Sequence, residues 1–372
     1  MNLLNLFRNS NINEYTSIKS LLEREPYNLI VKDIQHFPNL YMIVYDKNNS
    51  DLNNSVVKEC RGIILEKNTN KIVCYSFNKG LNLYNNLLPT QFDWNSTKVE
   101  KSIDGTQIKM FFYDGEWRYA STRCIDANRA YWFTNESFYD LFTDVKNEID
   151  YNRLNEKYCY SFVLCHPKNR IVMNYDEPKL YHVLTRDLET LEEVDIDIGV
   201  EKPEVFTNFE TFEDLLNSAM NSESMEEGYM LCYKDCDNIL HRVKIKNESY
   251  NKIKKLRGNT NNLFYNFLQL RSNDLLQLYL TFYPEHSSRF ALFELDIRKL
   301  ASEIHQLYMN KHVHRVETEI PVHLRTMIYK LHGSYLDTHE ITTINKVVDN
   351  LCELHPSQVC HMYNKTFGYH TD

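Results

Sequence analysis

Two kinds of hydrophobic periodicity divide this chain near Tyr250, and that switch limits the folds open to it. Upstream, apolar residues alternate with polar ones or form short apolar runs over 40–45, 62–65, 71–75, 158–164, 179–184, 229–233 and 240–245, the patterns of strands. Tyr113-Asp114-Gly115-Glu116 sits between two such runs, 107–112 and 117–121, and predicts a hairpin turn. Helical spacing is expected over 13–22, over 135–148 (Phe138, Leu141, Phe142 and Val145 on one face) and over the acidic stretch 209–220. Past Tyr250 the strand signals stop. Helices are expected over 263–270, 275–282, 290–309, 322–331 and 341–354. Strands followed by a run of helices predict an α+β protein in two parts, 1–250 and an all-helical 262–372, joined through Gly258-Asn259-Thr260-Asn261-Asn262.

With 372 residues, each part can bury a core of its own. A net charge of −9 argues against a general nucleic-acid coat protein, so any nucleic-acid partner needs a local basic groove. Nine cysteines lie scattered, with Cys232 and Cys236 spaced C-x3-C and no second pair at zinc-finger spacing. His355, Cys360 and His361 are expected on a surface helix. The odd cysteine count, with no leader evident and no apolar run of about 20 residues, predicts a cytoplasmic, non-membrane protein, expected to be a monomer.

The chemistry-bearing residues are cations at strand ends and beside turns. Arg61, Lys79, Arg123, Lys244 and Lys246 form such a set, with Lys244 and Lys246 two apart and therefore on one strand face. Converging cations suit a triphosphate. Glu227 and Asp104 are acids that suit a metal ion or a ribose hydroxyl. Any one of these residues alone is more ordinary as a solvated strand position; their order along the chain is what carries meaning. Lys252, Lys254, Lys255 and Arg257 are a further basic run, either an RNA-backbone contact or a solvated helix start.

The order runs Glu59-Cys60-Arg61-Gly62-Ile63, Phe77-Asn78-Lys79-Gly80-Leu81-Asn82, Ser102-Ile103-Asp104-Gly105, Ser121-Thr122-Arg123, Pro167-Lys168-Asn169-Arg170-Ile171-Val172, Glu227-Gly228-Tyr229, and Lys244-Ile245-Lys246 with Tyr250. It resembles the covalent nucleotidyltransferases, most closely the phage-type, tRNA-repairing, ATP-dependent RNA ligases. The resemblance implies antiparallel sheets of an ATP-grasp-like nucleotidyltransferase domain and a helical tail. It implies ATP and Mg2+ as cofactors, RNA ends as partner, and a phage or large DNA virus as source, acting in the host cytoplasm. It further implies that Arg61, Lys79, Gly105, Arg123, Lys244 and Lys246 bind the nucleotide, that Asp104 and Glu227 belong to the catalytic set, and that Glu227 is a metal ligand. In that family a lysine in K-x-D-G attacks the α-phosphate of ATP, AMP passes to a 5′-phosphate, and a 3′-hydroxyl displaces it.

This chain departs from the pattern at two places. The lysine position holds Ser102, with no base evident in the sequence, and Lys101 lies one residue early. A one-residue shift on a strand reverses the face, so Lys101 is expected to point away from the pocket unless a bulge intervenes. Lys101 is nevertheless the first candidate nucleophile if the protein is active, with Lys109 second. The third motif's glutamate is replaced by Val163, next to a new His166 that is either a substitute or a structural histidine at a turn. Two functions stay open: an RNA ligase that seals 5′-phosphate and 3′-hydroxyl ends, and a catalytically silent module that binds nucleotide or RNA ends.

Overall fold

The computed structural model describes residues 1–82, 93–132, 134–235 and 240–368. It divides into two compact units, Met1–Lys252 and Ile253–Asp372. The first unit carries strands β1 (Leu29–Asp33), β2 (Leu40–Tyr45), β3 (Arg61–Glu66), β4 (Ile72–Cys74), β5 (Leu81–Asn82), β6 (Lys98–Ser102), β7 (Thr106–Tyr113), β8 (Glu116–Ser121), β9 (Tyr158–Cys165), β10 (Lys179–Asp187), β11 (Glu193–Val194), β12 (Val205–Phe206), β13 (Gly228–Lys234) and β14 (Leu240–Lys246). They form three sheets, ordered β1-β2-β3-β4, β11-β10-β9-β7-β8 and β12-β6-β13-β14-β5. Pairing is antiparallel except for the short β14–β5 contact.

Alternation assigns each sheet its two faces. In the first sheet, Tyr41, Ile43, Ile63 and Leu65 pack against Leu3, Phe7, Ile18 and Leu22 of helices α1 (Asn2–Asn9) and α2 (Tyr15–Leu22). The residues between them, Leu40, Met42, Val44 and Ile64, pack against Phe111, Ala120 and Cys159 of the second sheet. The second sheet's far face, with Ile108, Met110, Tyr160 and Phe162, is covered by Leu141 and Phe142 of the helix Phe138–Thr143. In the third sheet, Val99, Leu231, Val243 and Ile245 bury against Leu215 and Ala219 of the helix Phe212–Met220. Burial of each large side chain in these layers contributes roughly 1.5–3 kcal/mol.

Most expected strands form, and three helices differ from the sequence pattern. The 135–148 stretch yields a shorter helix, Phe138–Thr143, opened by a reciprocal Ser137–Asp140 cap and followed by a 3₁₀ turn, Lys146–Glu148. Helix α1 was not expected. Its first amide groups point at the buried Glu59 carboxylate, which accepts from the backbone N–H of Asn2 (2.9 Å) and Leu3 (2.8 Å), a favourable charge at a helix N-terminus. The helix Glu248–Arg257 runs across the division between the units and contains the basic run, in which Lys252 pairs with Glu248 (3.3 Å) and Arg257 is buried.

The second unit continues with helices Leu263–Ser272, Leu276–Phe282, Ser287–Tyr308, Val322–Thr338, Ile344–Glu353 and Pro356–Phe367. Phe290, Phe293, Ile297, Leu300 and Ile304 line one face of the longest helix at helical spacing. Phe264 and Phe267 meet Phe293 with ring centroids 5.1 and 5.6 Å apart. His355, Cys360 and His361 belong to the last helix or its cap. Cys236 lies outside the described residues. No helix among the described residues is long and apolar enough to cross a membrane. The protein is therefore α+β, with antiparallel sheets followed by a helical C-terminal region.

Candidate functional site

The strand register decides which candidates meet. β6, β13 and β14 are adjacent, and Gly228 of β13 pairs with Ser102 on one side and Lys246 on the other. Met230 pairs with both Glu100 and Lys244, so Glu100, Ser102, Arg242, Lys244 and Lys246 share the face opposite the packed core. No register shift interrupts the β6–β13 pairing, and no bulge returns Lys101 to that face. Gly228 is required: its φ is +118°, and a Cβ there would stand 2.3 Å from the Ile245 carbonyl oxygen.

Glu227 is the hub of this face. Its Oε2 accepts from Ser102 Oγ (3.0 Å) and from Lys244 Nζ (2.7 Å). The base that the sequence did not reveal for Ser102 is thus a buried carboxylate. Lys101 goes elsewhere: its Nζ donates to Glu226 Oε1 at 2.5 Å, and its backbone N–H donates to the Glu204 carbonyl. The neighbouring residues Glu226 and Glu227 therefore take one candidate amine to each side of the strand.

Asp104 is held differently from the ligand-facing acid expected of it. Oδ2 accepts from the backbone N–H of Val172 (2.8 Å) and Met173 (2.9 Å), and Oδ1 accepts from Tyr250 Oη (2.7 Å). Burial, followed by the charges of Glu227 and Asp104, pushes the Tyr250 phenol far up, so it stays protonated and donates. Gly105 follows because β9 passes too close for a side chain. A Cβ would stand 2.5 Å from the Leu164 carbonyl oxygen.

Arg61 and Lys79 approach the same cleft from the N-terminal side. Arg61 Nη1 donates to Gln107 Oε1 (2.8 Å), and its guanidinium lies 4.5 Å from the Phe77 ring centroid. Burial lowers its pKa, and nearby Arg242 adds to that, while Tyr45 and Glu227 oppose. Burial likewise lowers Lys79, and the charges of Arg61, Lys244, Lys47 and Lys58 lower it further. Four cations acting on one ammonium make a concentrated positive field. Lys246 Nζ lies 6.0 Å from the Tyr250 ring centroid on the Ser102 face.

Arg123 is not drawn in to the same extent. Its Nη2 donates to the Tyr45 carbonyl at 2.7 Å on the exposed rim of the first sheet. Lys109 is fully buried in β7 and donates to the Gly62 carbonyl, while burial lowers its pKa. Val163 pairs with Gln107 in the second sheet and leaves an apolar side chain on the Gln107 face. His166 is a structural histidine, with Nε2 3.1 Å from Asp144 Oδ2 and Nδ1 accepting from the Lys168 N–H.

Sequence inspection missed several participants. Arg242 repeats at the spacing of Lys244 and Lys246, so alternation alone identifies it. Its guanidinium donates to both oxygens of Glu193 (2.8 and 2.5 Å), and Arg186 joins the same carboxylate at 2.9 Å. Gln107 and Ser161 both reach Ser76 (2.6 and 2.7 Å), contacts between distant segments that leave no local pattern. Beside Lys79 opens a cleft of ≈ 700 Å³ whose lining includes Lys58, Arg186, Lys234 and Arg242.

The sequence model of the RNA ligase family matches residues 59–250, which contain Arg61, Lys79, Ser102, Asp104, Glu227, Lys244 and Lys246. The chain is 26% identical to an RNA ligase of Rhodothermus phage RM378, over 35% of this chain and 37% of the relative. It is 25% identical to a putative bifunctional polynucleotide kinase/RNA ligase of Autographa californica nuclear polyhedrosis virus, over 60% of this chain and 34% of the relative. The chain thus spans little more than a third of the length of either relative. Among solved structures, an archaeal ATP-dependent RNA ligase aligns over 78% of this chain and 80% of its own, with 11% identity and a TM-score of 0.45. With the family's sequence model covering just over half of its residues, this chain belongs to the RNA ligase family.

Proposed function

We propose that this protein binds ATP or AMP with Mg2+ in the cleft between Arg61, Lys79, Glu227, Lys244 and Lys246, and holds RNA ends beside it. In this reading the family's adenylylation no longer takes place at the usual position. One observation carries the proposal. The residue in the lysine position is Ser102, hydrogen-bonded to Glu227 inside the cleft, whereas Lys101 pairs with Glu226 on the other face.

The positive field around Lys79 suits a polyphosphate, whose charge needs several partners. The cleft lined by Lys58, Arg186, Lys234 and Arg242 supplies cations for an RNA backbone despite the net charge of −9. Mg2+ fits as an ion held largely by nucleotide phosphates, since that ion commonly uses one or two carboxylates plus substrate oxygens. Glu227 is the motif carboxylate held by cleft side chains, while the Asp104 oxygens are engaged by backbone amides and Tyr250. When bound, Mg2+ would offset phosphate charge. The relatives named above are viral, which supports action in the cytoplasm of an infected cell, and we take the working form to be a monomer.

Calorimetric titration of ATP and AMP, with Mg2+, into the full chain tests the proposal. Saturable binding is expected, weakened about tenfold or more by Arg61→Ala or Lys79→Ala, the loss of one charge-assisted phosphate contact. A wild-type chain that takes up neither nucleotide would sink the proposal.

A further inference from the structure

The cleft contains an amine where a lysine at position 102 would have placed one. Ser102 Oγ and Lys244 Nζ donate to the same oxygen of Glu227, at 3.0 and 2.7 Å. A lysine amine stands three bonds farther out than a serine oxygen. The short side chain at 102 therefore leaves open the space into which Lys244 reaches from two strands away, with side-chain-free Gly228 in the strand between. Three other candidate amines are committed elsewhere, and Lys246 lies one strand step further along, 6.0 Å from the Tyr250 ring centroid. Lys101 faces the opposite side of the sheet, Lys109 is sealed in the core against Gly62, and Lys79 donates to the Gly80 carbonyl at 2.6 Å.

Resting on the nucleotide-binding proposal above, we infer that Lys244 is the AMP acceptor of this protein. Its Nζ, held 2.7 Å from the Glu227 carboxylate, releases one proton to solvent and attacks the α-phosphorus of ATP as the neutral amine. The N–P bond forms as the bond from the α-phosphorus to the bridging oxygen breaks, and pyrophosphate leaves with the bond's electrons. The second proton of the attacking amine leaves with pyrophosphate. Ser102 supports the step by donating its own hydrogen bond to Glu227, which holds that carboxylate toward the amine. Ser102 itself is the poorer acceptor. A seryl phosphodiester lacks the reactive P–N bond that lets AMP move on to a 5′-phosphate, so it would be a dead end.

The full chain is incubated with α-phosphate-labelled ATP and Mg2+ or Mn2+, denatured, and split between acid and alkali before peptide mapping by mass spectrometry. The expected result is a label that acid removes and alkali spares, mapped to Lys244. It falls to background in Lys244→Arg and persists in Lys101→Ala. ATP calorimetry on the wild type and on Lys244→Arg separates loss of the nucleophile from loss of the pocket. An acid-stable label on Ser102, a label on Lys101, or no label from a wild-type chain that binds ATP overturns the inference and leaves nucleotide binding intact. Absence of ATP binding overturns both.

Discussion

Asp104 and Glu227 are both motif acids, and they are buried alike, at 4% and 3% exposure, yet they perform different tasks. Burial does not distinguish them; their partners do. Asp104 is surrounded by backbone amides and a phenol, donors fixed by the fold, and so it ties the turn after β6 to the 172–173 segment and to Tyr250. Glu227 shares the Tyr250 phenol with Asp104 but adds two side-chain donors, Ser102 and Lys244, in place of backbone amides, and ligand can displace or rearrange those two. A carboxylate satisfied by main-chain groups is frame. One satisfied by side chains at a cleft is available for chemistry.

That contrast is open to a direct break. Asp104→Ala takes the acceptor from the amides of Val172 and Met173 and one acceptor from the Tyr250 hydroxyl, and should destabilise the protein by about 4 kcal/mol, since each hydrogen bond to a charged group contributes roughly 1.5–3 kcal/mol. Glu227→Gln keeps shape and one acceptor oxygen while removing the charge beside Lys244, for a smaller loss of about 1–2 kcal/mol. Its larger effect is expected in the labelling reaction. Urea denaturation of the two variants measures the difference. Equal losses, or a greater one for Glu227→Gln, would erase the distinction between frame and site.

A third acid, Glu193, tests whether the cleft's cations also serve as frame. Burial raises its pKa, but the hydrogen bond and charge of Arg242 and the charge of Arg186 outweigh burial, so the folded value lies below the ordinary 4.5. The sign follows from linkage: a depressed folded pKa adds stability above the unfolded value and loses it as pH falls through the folded one. Wild type should therefore exceed Glu193→Gln by about 2 kcal/mol at neutral pH. The gap should narrow below pH about 4.5. A gap unchanged down to the acid transition would mean that the two arginines do not depend on this carboxylate.

Much of this geometry is legible in the sequence, where period alone sets direction. Alternation separated Ser102 from Lys101 and put Lys244 with Lys246, and the uninterrupted β6–β13 register realises both. The same rule identifies Arg242, which was overlooked although it extends that row by one step. Glu193, Gln107 and Ser76 could not be read in this way, because their partners come from other strands far along the chain. Asp104 was visible as a motif residue, but its role was not: nothing local says that the amides of Val172 and Met173 will turn toward it. Helix α1 illustrates the opposite failure. Its apolar residues at 3, 4 and 7 have helical spacing, but the charge that secures its first turn is supplied by Glu59, more than fifty residues later.

The smallest expected effect is also the sharpest test of the strand faces. Lys101 and Glu226 form an ion pair at 2.5 Å, with side chains 30% and 43% exposed. Exposed pairs of this kind contribute about 0–1 kcal/mol, because solvent screens the attraction and ordering two long side chains opposes it. Lys101→Ala should therefore shift the urea midpoint only slightly and leave ATP affinity within error of wild type. The assignment of Lys101 to the far face requires that near-silence. Lys101 lies beside Ser102 in sequence, so a substitution that acted through local backbone disturbance would affect both residues. One that acts only through its own side chain affects the far side of the sheet. If Lys101→Ala reduced ATP affinity as strongly as Lys79→Ala, the faces of β6 would be misassigned. The amine one residue early would then regain its claim on the nucleotide.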